Sequence, residues 1–460
     1  MDDQRKRRHD RFATPGGAAA TLTTGALLDR NDAPGRHAAS WYAATAVGQR
    51  ERPSLDGDRR ADVVVVGAGF TGLSTALHLA EAGADVVVLD AHRAGWGASG
   101  RNGGQLVSGQ RCDPEELEAR YGRDAARRLY HLGEDAKALV HALCARHGIP
   151  YDYRPGLLYA TRRQRDGPAL RTSARQLAEI YGYPRARFVD RDELRTLVAS
   201  PRLFAGVLDE GAGHLHPLNY ALGLADAAER AGASLFDLSR VVALERGGGG
   251  VAARTPRGTV RAETAVLAGN GYLDGLAPAV AARVMPINNF IVATEPLGEV
   301  GMRRVLGRDL AAADSRFVIN YFRPTPDHRL LFGGGETYRY RFPDDIAGLV
   351  RPHLEDLFPQ LAGVRLDHAW GGTLAITRSR LPYLARPAPN VIAAGGYSGQ
   401  GIALATLAGK LVAGAIEGES AGFDAFARIP QPAFPGGRWL RWPLLALGMS
   451  WFALRDRIGL

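Results

Sequence analysis

Residues 61–105, ADVVVVGAGFTGLSTALHLAEAGADVVVLDAHRAGWGASGRNGGQ, restrict the fold more than any other stretch. A buried strand over 63–66 runs into Gly67-Ala68-Gly69-Phe70-Thr71-Gly72. An amphipathic helix follows, then Gly83, then a second buried strand over 86–89 that ends in Asp90. Each part has a task in binding a dinucleotide. Gly67 makes the tight turn. Gly69 has no Cβ, so backbone can approach a pyrophosphate. Gly72 lets the helix pack close on the strand. The helix N-terminus then presents free N–H groups and a positive dipole end to phosphate. Asp90, eighteen residues after Gly72, can accept hydrogen bonds from a ribose diol. An acid there disfavours a 2′-phosphate, which speaks against NADP.

The stretch after Asp90 separates flavin from nicotinamide. Residues 95–104, GWGASGRNGG, are too rich in glycine for a helix to follow directly. They read as an extended loop whose N–H groups, with Ser99, Arg101 and Asn102, reach phosphate and a flavin ring. Alanine, serine, arginine and asparagine among the glycines suit a shaped anion-binding nest better than a linker.

The chain has 460 residues and 46% hydrophobic content, ample for two domains. Its net charge is +9, carried almost wholly by arginine; the lysines are Lys6, Lys137 and Lys410. Apart from residues 5–8 the basic side chains are scattered, which excludes a nucleic-acid surface built on clustering. Two cysteines, Cys112 and Cys144, make no disulfide framework and no metal-binding spacing, and a reducing cytoplasm fits. Residues 1–38 lack the apolar core of a secretory signal and read as a disordered tail. Residues 428–460 form a C-terminal amphipathic segment. Its charge-free run over 442–454 is too short to span a bilayer. Packing on the protein itself is the first reading, and contact with a membrane surface the second.

Helical spacing predicts helices over 114–120, 124–147, 174–181, 191–198, 218–231 and 344–358. Strands are expected over 151–161, 206–208, 234–237, 241–245, 251–255, 258–261 and 265–268. Residues 285–336 are strand-rich, with a hairpin across 324–328. A final strand over 391–394 enters GGYSGQG at 395–401, and a helix follows over 402–417. This second strand–glycine–helix junction also offers a dipole to an anionic or electron-rich group. With antiparallel-looking strands between the junctions, the nucleotide domain must be assembled from separated segments.

With both junctions identified, the chain resembles the FAD-dependent D-amino-acid oxidase/glycine oxidase superfamily, and within it the gamma-glutamylputrescine oxidases. The residues that carry this are SWYAAT at 40–45, the run 66–105, GHLHP at 213–217, LLFGGG at 330–335, WGG at 370–372, SRLP at 379–382, AGGYSGQGI at 394–402, and 446–456. The resemblance covers about residues 39–460. It implies an α/β (α+β, two-domain) flavoprotein in which a Rossmann-type FAD-binding domain is interleaved with an antiparallel-sheet substrate domain. Residues 39–150, 205–284 and 365–427 would form the first, and 151–204 with 285–364 the second.

The resemblance also implies site roles. Gly67, Ala68, Gly69, Phe70, Thr71 and Gly72 hold the pyrophosphate. Asp90 and Ala91 meet the adenosine ribose, and Val241 backbone the adenine. Ala268 and Gly269 line the nucleotide. Ser99, Arg101, Asn102, Gly103, Gly104 and Gln105 approach pyrophosphate and ring. Gly396, Tyr397, Ser398, Gly399, Gln400, Gly401 and Ile402 lie along the pyrimidine side. The sarcosine-oxidase branch ties its flavin to a cysteine in the C-terminal half; this chain has none after Cys144, so noncovalent FAD is expected.

The resemblance implies FAD-dependent oxidation of a small-molecule primary amine, gamma-glutamylputrescine before others, to the aldehyde with release of ammonia and hydrogen peroxide, with oxygen or a quinone as acceptor. The alternative is an amino-acid or N-methyl-amino-acid oxidase or dehydrogenase. The amine must be neutral to release a hydride equivalent, and an apolar aromatic site favours that form. Trp370, Tyr383, Tyr397, Tyr321 and Phe322 are candidates for such a lining, although each alone also suits core packing. Gln105, Trp370 and Tyr397 are the flavin-facing candidates, and Arg323, Tyr321 and Tyr383 the substrate-facing ones. Arg323 could hold a distal carboxylate. His214 and His216, with no acid at ligand spacing, read as packing at a helix entry.

Overall fold

The computed structural model describes residues 31–436 apart from 248, 274, 317, 338 and 339. The expectations for residues 1–30 and 437–460 lie outside the described residues. The first sheet is built where the sequence is richest in valine. Strand β1 (Arg59–Val66) ends in four buried residues, and β2 (Val86–Leu89) is buried throughout. Strands buried on both faces read as continuous apolar runs because helices cover each side of a parallel sheet. β7 (Ser234–Phe236), β10 (Gly258–Leu267) and β17 (Val391–Gly395) join them in parallel, and β16 (Tyr383–Ala388) pairs antiparallel at the edge. The order is β16-β17-β10-β1-β2-β7, and β8 (Ala243–Gly247) and β9 (Gly250–Thr255) form a hairpin that pairs with β10. The strands expected over 258–261 and 265–268 are thus one strand.

The second sheet lies over the C-terminal ends of the first and is mainly antiparallel. Its strands are β3 (Gln105–Leu106), β4 (Arg154–Thr161), β5 (Ala186–Val189), β6 (Ala205–His214), β11 (Met285–Thr294), β12 (Ala311–Asp314), β13 (Tyr321–Pro324), β14 (Leu330–Thr337) and β15 (Leu366–Ile376). Their order is β15-β11-β14-β13-β12-β4-β6-β3, with β5 on β6. β3, β6 and β15 belong to this sheet, although all three fall within segments expected in the nucleotide domain.

Three helices form the layer that carries the glycine junctions. α1 (Phe70–Glu81) follows β1, α3 (Pro217–Arg230) follows β6, and α5 (Gly401–Ile416) follows β17. α1 and α5 touch where Gly409 sits, since a Cβ there would lie 2.5 Å from the Thr71 carbonyl oxygen. α2 (Arg123–His147) ends at Gly148 in the left-handed conformation, and α4 (Ile346–Leu357) covers the second sheet. His216 caps α3, its Nδ1 accepting from the Asn219 N–H at 3.1 Å. Residues 31–38, expected to be disordered, are instead held: Asn31 bonds the backbone of Tyr340 and Phe342, and Asp32 pairs with Arg101. Among the described residues no single helix is long and apolar enough to cross a membrane.

Candidate active site

The first junction is shaped by close approaches. Gly67 has φ +106°, and a Cβ there would lie 2.9 Å from the Ala268 carbonyl oxygen. At Gly72 a Cβ would lie 1.9 Å from the Gly67 carbonyl oxygen, so α1 can start there only without a side chain. Ser99 reaches across the turn and accepts from the Phe70 N–H at 3.0 Å. Asp90 accepts from the Ala68 N–H at 2.6 Å and from the His92 N–H at 2.7 Å. Loss of solvent pushes its carboxyl up, against those two N–H groups. Asp237 lies near it; burial first and the Asp90 charge second push Asp237 up to about 6.

At the second junction the chain leaves β17 through Gly396 (φ +70°), Ser398 (φ +54°) and Gly399 (φ +98°). Gly399 faces open space. The Gly396 N–H donates to Asn270 Oδ1 at 2.9 Å, and the Ser398 N–H to the Ala375 carbonyl at 2.9 Å. Neither α1 nor α5 has a side-chain cap at its N-terminus. The two starts are tied together beneath the surface by Thr71 Oγ1 and Tyr397 Oη, 2.5 Å apart.

A cavity of about 570 Å3 runs from Asp90 and Val241 past both helix starts to the second sheet. Of the expected cofactor residues, Gly67, Gly69, Phe70, Thr71, Asp90, Ala91, Ser99, Arg101, Asn102, Gly103, Gln105, Val241, Ala268 and Gly269 line it from the first junction and its neighbours. Tyr397, Ser398, Gly399, Gln400, Gly401 and Ile402 line it from the second. Ala68, Gly72, Gly104 and Gly396 lie behind this surface and shape it. The Arg101 guanidinium is already engaged: it packs 4.4 Å over Trp96, pairs with Asp32, and donates to the carbonyls of Trp96 and Gly371. Asn102 bonds back to the carbonyls of Ala98 and Ser99, fixing the loop.

The second sheet contributes Gln105, Tyr159, Asn289, Ala313, Tyr321 and Leu374 to the cavity wall. Tyr321 donates to Asn289 Oδ1 at 2.5 Å, and Gln105 Nε2 to the Ala312 carbonyl at 3.0 Å. Three expected side chains are elsewhere. Trp370 is 2% exposed, packs edge-on against Tyr42 and donates from Nε1 to the Arg101 carbonyl. Arg323 is buried as a brace between segments, donating to the carbonyls of Gly103, Leu215 and Pro324 and to the Tyr42 hydroxyl. Tyr383 is core behind Gly396, on a strand paired with β17. Each is apolar or multivalent enough to be consumed by packing before it can face a ligand. Phe322 is likewise core, stacked on Phe332.

Arg111, Arg240, Arg316 and Arg380 also line the cavity, and no sequence motif marked them. Among the described lining residues Asp90 is the one carboxylate. Three buried polar atoms of lining residues, Trp96 Nε1, Arg101 Nη2 and Gln400 Oε1, have no hydrogen-bond partner among the described residues. Glycine turns that admit close approach, two uncapped helix starts and unpaired polar atoms together fit an elongated, anionic dinucleotide such as FAD.

A family model described as FAD dependent oxidoreductase (DAO) matches residues 62–415. The gamma-glutamylputrescine oxidoreductase of Escherichia coli (strain K12) is 42% identical over 92% of this chain and 99% of its own. A probable oxidoreductase, OrdL, of Rhizobium meliloti (strain 1021) is also 42% identical, over 91% and 97%. Among solved structures, glycine oxidase from Geobacillus kaustophilus aligns with a TM-score of 0.67 at 23% identity, covering 82% of this chain and 99% of the other.

Proposed function

The chain belongs to the DAO family of FAD-dependent oxidoreductases, and from that premise we propose that it oxidises gamma-glutamylputrescine, or a similar primary amine with a carboxylate at its far end, to the aldehyde. One observation carries this reading: among the described residues, five arginines and a single carboxylate line the cavity. Putrescine is a dication near neutral pH and meets like charge throughout such a site. Glutamylation turns one ammonium into an amide and adds a zwitterionic amino-acid end, which lowers the net charge and supplies a carboxylate that an arginine can hold. The named substrate of the Escherichia coli relative has this chemistry.

FAD, when bound, supplies the two-electron acceptor. The chain's own groups do the positioning. The turn at Gly67 and Gly69 would admit the pyrophosphate, Asp90 would accept from the ribose, and the start of α5 would favour negative charge on the reduced ring. The position of Cys112 and Cys144, both buried away from the lining, supports noncovalent binding. The reacting amine must lose a proton first. Apolar lining at Val107, Ile287, Ile319 and Leu374 and the surrounding positive charge both disfavour its ammonium form. Loss of two hydrogens from the C–N unit gives an imine, which water hydrolyses to aldehyde and ammonia. With oxygen as acceptor the two hydrogens leave as peroxide.

The test is anaerobic stopped-flow of the flavin absorbance with gamma-glutamylputrescine, putrescine, glycine, sarcosine and D-alanine. Gamma-glutamylputrescine should reduce the flavin fastest. Faster reduction by sarcosine or D-alanine overturns the polyamine reading in favour of amino-acid oxidation. Reoxidation by oxygen against a quinone then separates oxidase from dehydrogenase.

A further inference from the structure

We propose that Arg111 is the side chain that grips the substrate's distal carboxylate, and so sets the requirement for an acidic end opposite the reacting amine. The assignment rests on the amine-oxidation reading above and deepens it.

Arg111 sits on the short segment between β3 and the helix Pro114–Tyr121. Every neighbour on this segment is fixed. Ser108 Oγ bonds Asp209 and the Tyr183 hydroxyl. The Gly109 N–H donates to Glu134 Oε1 at 3.2 Å, Gln110 Nε2 to the Leu129 carbonyl at 2.8 Å, and Cys112 Sγ to the Ser379 carbonyl at 3.3 Å. Beneath them Lys137 is buried, paired with Glu134 at 2.9 Å and donating to Ser108, Tyr183 and the Gly211 carbonyl. Gly133 of α2 lies so close that a Cβ would sit 2.2 Å from the Gly109 carbonyl oxygen. The segment therefore has one position.

Within this pinned segment Arg111 alone reaches the cavity with a charge, and it has no hydrogen bond or ion pair among the described residues. The other arginines on the wall differ. Arg101 is held by Asp32, Arg240 by His92, and Arg316 by Asp356 and His353, and Arg380 is engaged as well. A half-buried guanidinium with no hydrogen-bonded protein partner, only the nearby charge of Asp113, on fixed backbone, is available to an anion. Its ordering cost has already been met in folding. Val107, Ile319 and the ring of Tyr159 line the same wall, and their apolar surface strengthens a charge-assisted bond. The planar fork matches a carboxylate with two parallel N–H···O bonds. The lysines cannot replace it: Lys137 is consumed by its cluster and Lys410 is not at the lining.

The test uses the holoenzyme and two probes. Calorimetry measures binding of γ-glutamylpropylamide, which keeps the glutamyl carboxylate but lacks the oxidisable amine. Wild type should bind it, Arg111→Met should bind about tenfold or more weaker, and Arg111→Lys should lie between. Flavin content and Tm should be unchanged, because no protein group is stranded by the substitution. Steady-state kinetics then compare gamma-glutamylputrescine with N-(4-aminobutyl)-4-aminobutanamide, the same molecule without its carboxylate. Arg111→Met should raise KM about tenfold for the first and leave the second unchanged, with little effect on kcat for either. Equal binding of the probe by wild type and Arg111→Met overturns the assignment, whatever the enzyme oxidises. Failure of wild type to bind the probe overturns it too. Loss of probe binding in Arg111→Met, with no amine reducing the flavin, supports the carboxylate grip while the amine-oxidation reading falls.

Discussion

Asp237 shows how a single residue couples the nucleotide end of the site to pH. Its Oδ1 accepts from the Ala94 N–H at 3.2 Å, while Oδ2 is buried without a partner, close to Asp90. Burial raises its folded pKa to about 6, above the ordinary value of 3.8. The folded state then binds the proton more tightly than the unfolded chain. Stability from this group is full below about 3.8 and is lost as pH rises through 6. Asp237→Asn keeps an oxygen for the Ala94 N–H and removes the charge. It should raise Tm more at pH 8 than at pH 4.5, and an equal shift at both values would show that Asp237 does not titrate in this range. At this scale the sequence told the glycines well and the arginines poorly. Gly67, Gly69 and Gly72 announce a turn by spacing alone, and they line or shape the cavity. Arg323 looked free because its partners Tyr42, Gly103, His214 and Leu215 come from distant segments. Arg111 carried no motif because its distinction is the lack of a partner, which only the folded chain defines.

The two glycine junctions act as one element. α1 and α5 start at the same cavity, and the 2.5 Å contact between Thr71 and Tyr397 joins their first turns. Tyr397 is otherwise buried, so the hydroxyl has no water to replace this partner. Tyr397→Phe should destabilise the protein by about 1–3 kcal/mol by stranding the Thr71 hydroxyl. Thr71→Val with Tyr397→Phe should recover part of that loss. Thermal melts of the two single variants and the double variant, each with FAD, check the coupling; additive losses would remove it. Strand β6 shows why some elements were illegible. The strand expected over 206–208 is part of a longer one, since β6 runs through to His214. Its glycines are there because β4 and Tyr183 approach too closely for a Cβ: at Gly213 one would lie 2.2 Å from the Arg154 carbonyl oxygen. Glycine dictated by packing looks in sequence like glycine dictated by a turn. β15 hid for the same reason, with Gly371 and Gly372 against Phe342 and Arg101.

Across the whole molecule, the cofactor cavity has one wall from each sheet, so bound FAD should cement the two together. Denaturation with acid should leave the yellow colour in solution rather than on the precipitated polypeptide. Tm should also rise with added FAD, as expected for a ligand that binds only the folded state. Flavin that stays with the denatured chain, or a Tm indifferent to FAD, would contradict this noncovalent arrangement. The interleaved plan was visible in the sequence as two glycine junctions far apart, while the membership of β3, β6 and β15 in the second sheet was not. The pairing pattern also has a consequence for synthesis. Val63 is held by Thr264, and Ala265 by Val391. A nascent chain leaving the ribosome can therefore make the first βαβ unit early, yet it carries half a cradle until the α5 segment emerges. Stalled or truncated products that end before residue 391 should be colourless, sticky and attractive to chaperones, with the C-terminal half of β10 unmatched on one side. Supply of FAD can rescue this protein only after translation is nearly complete.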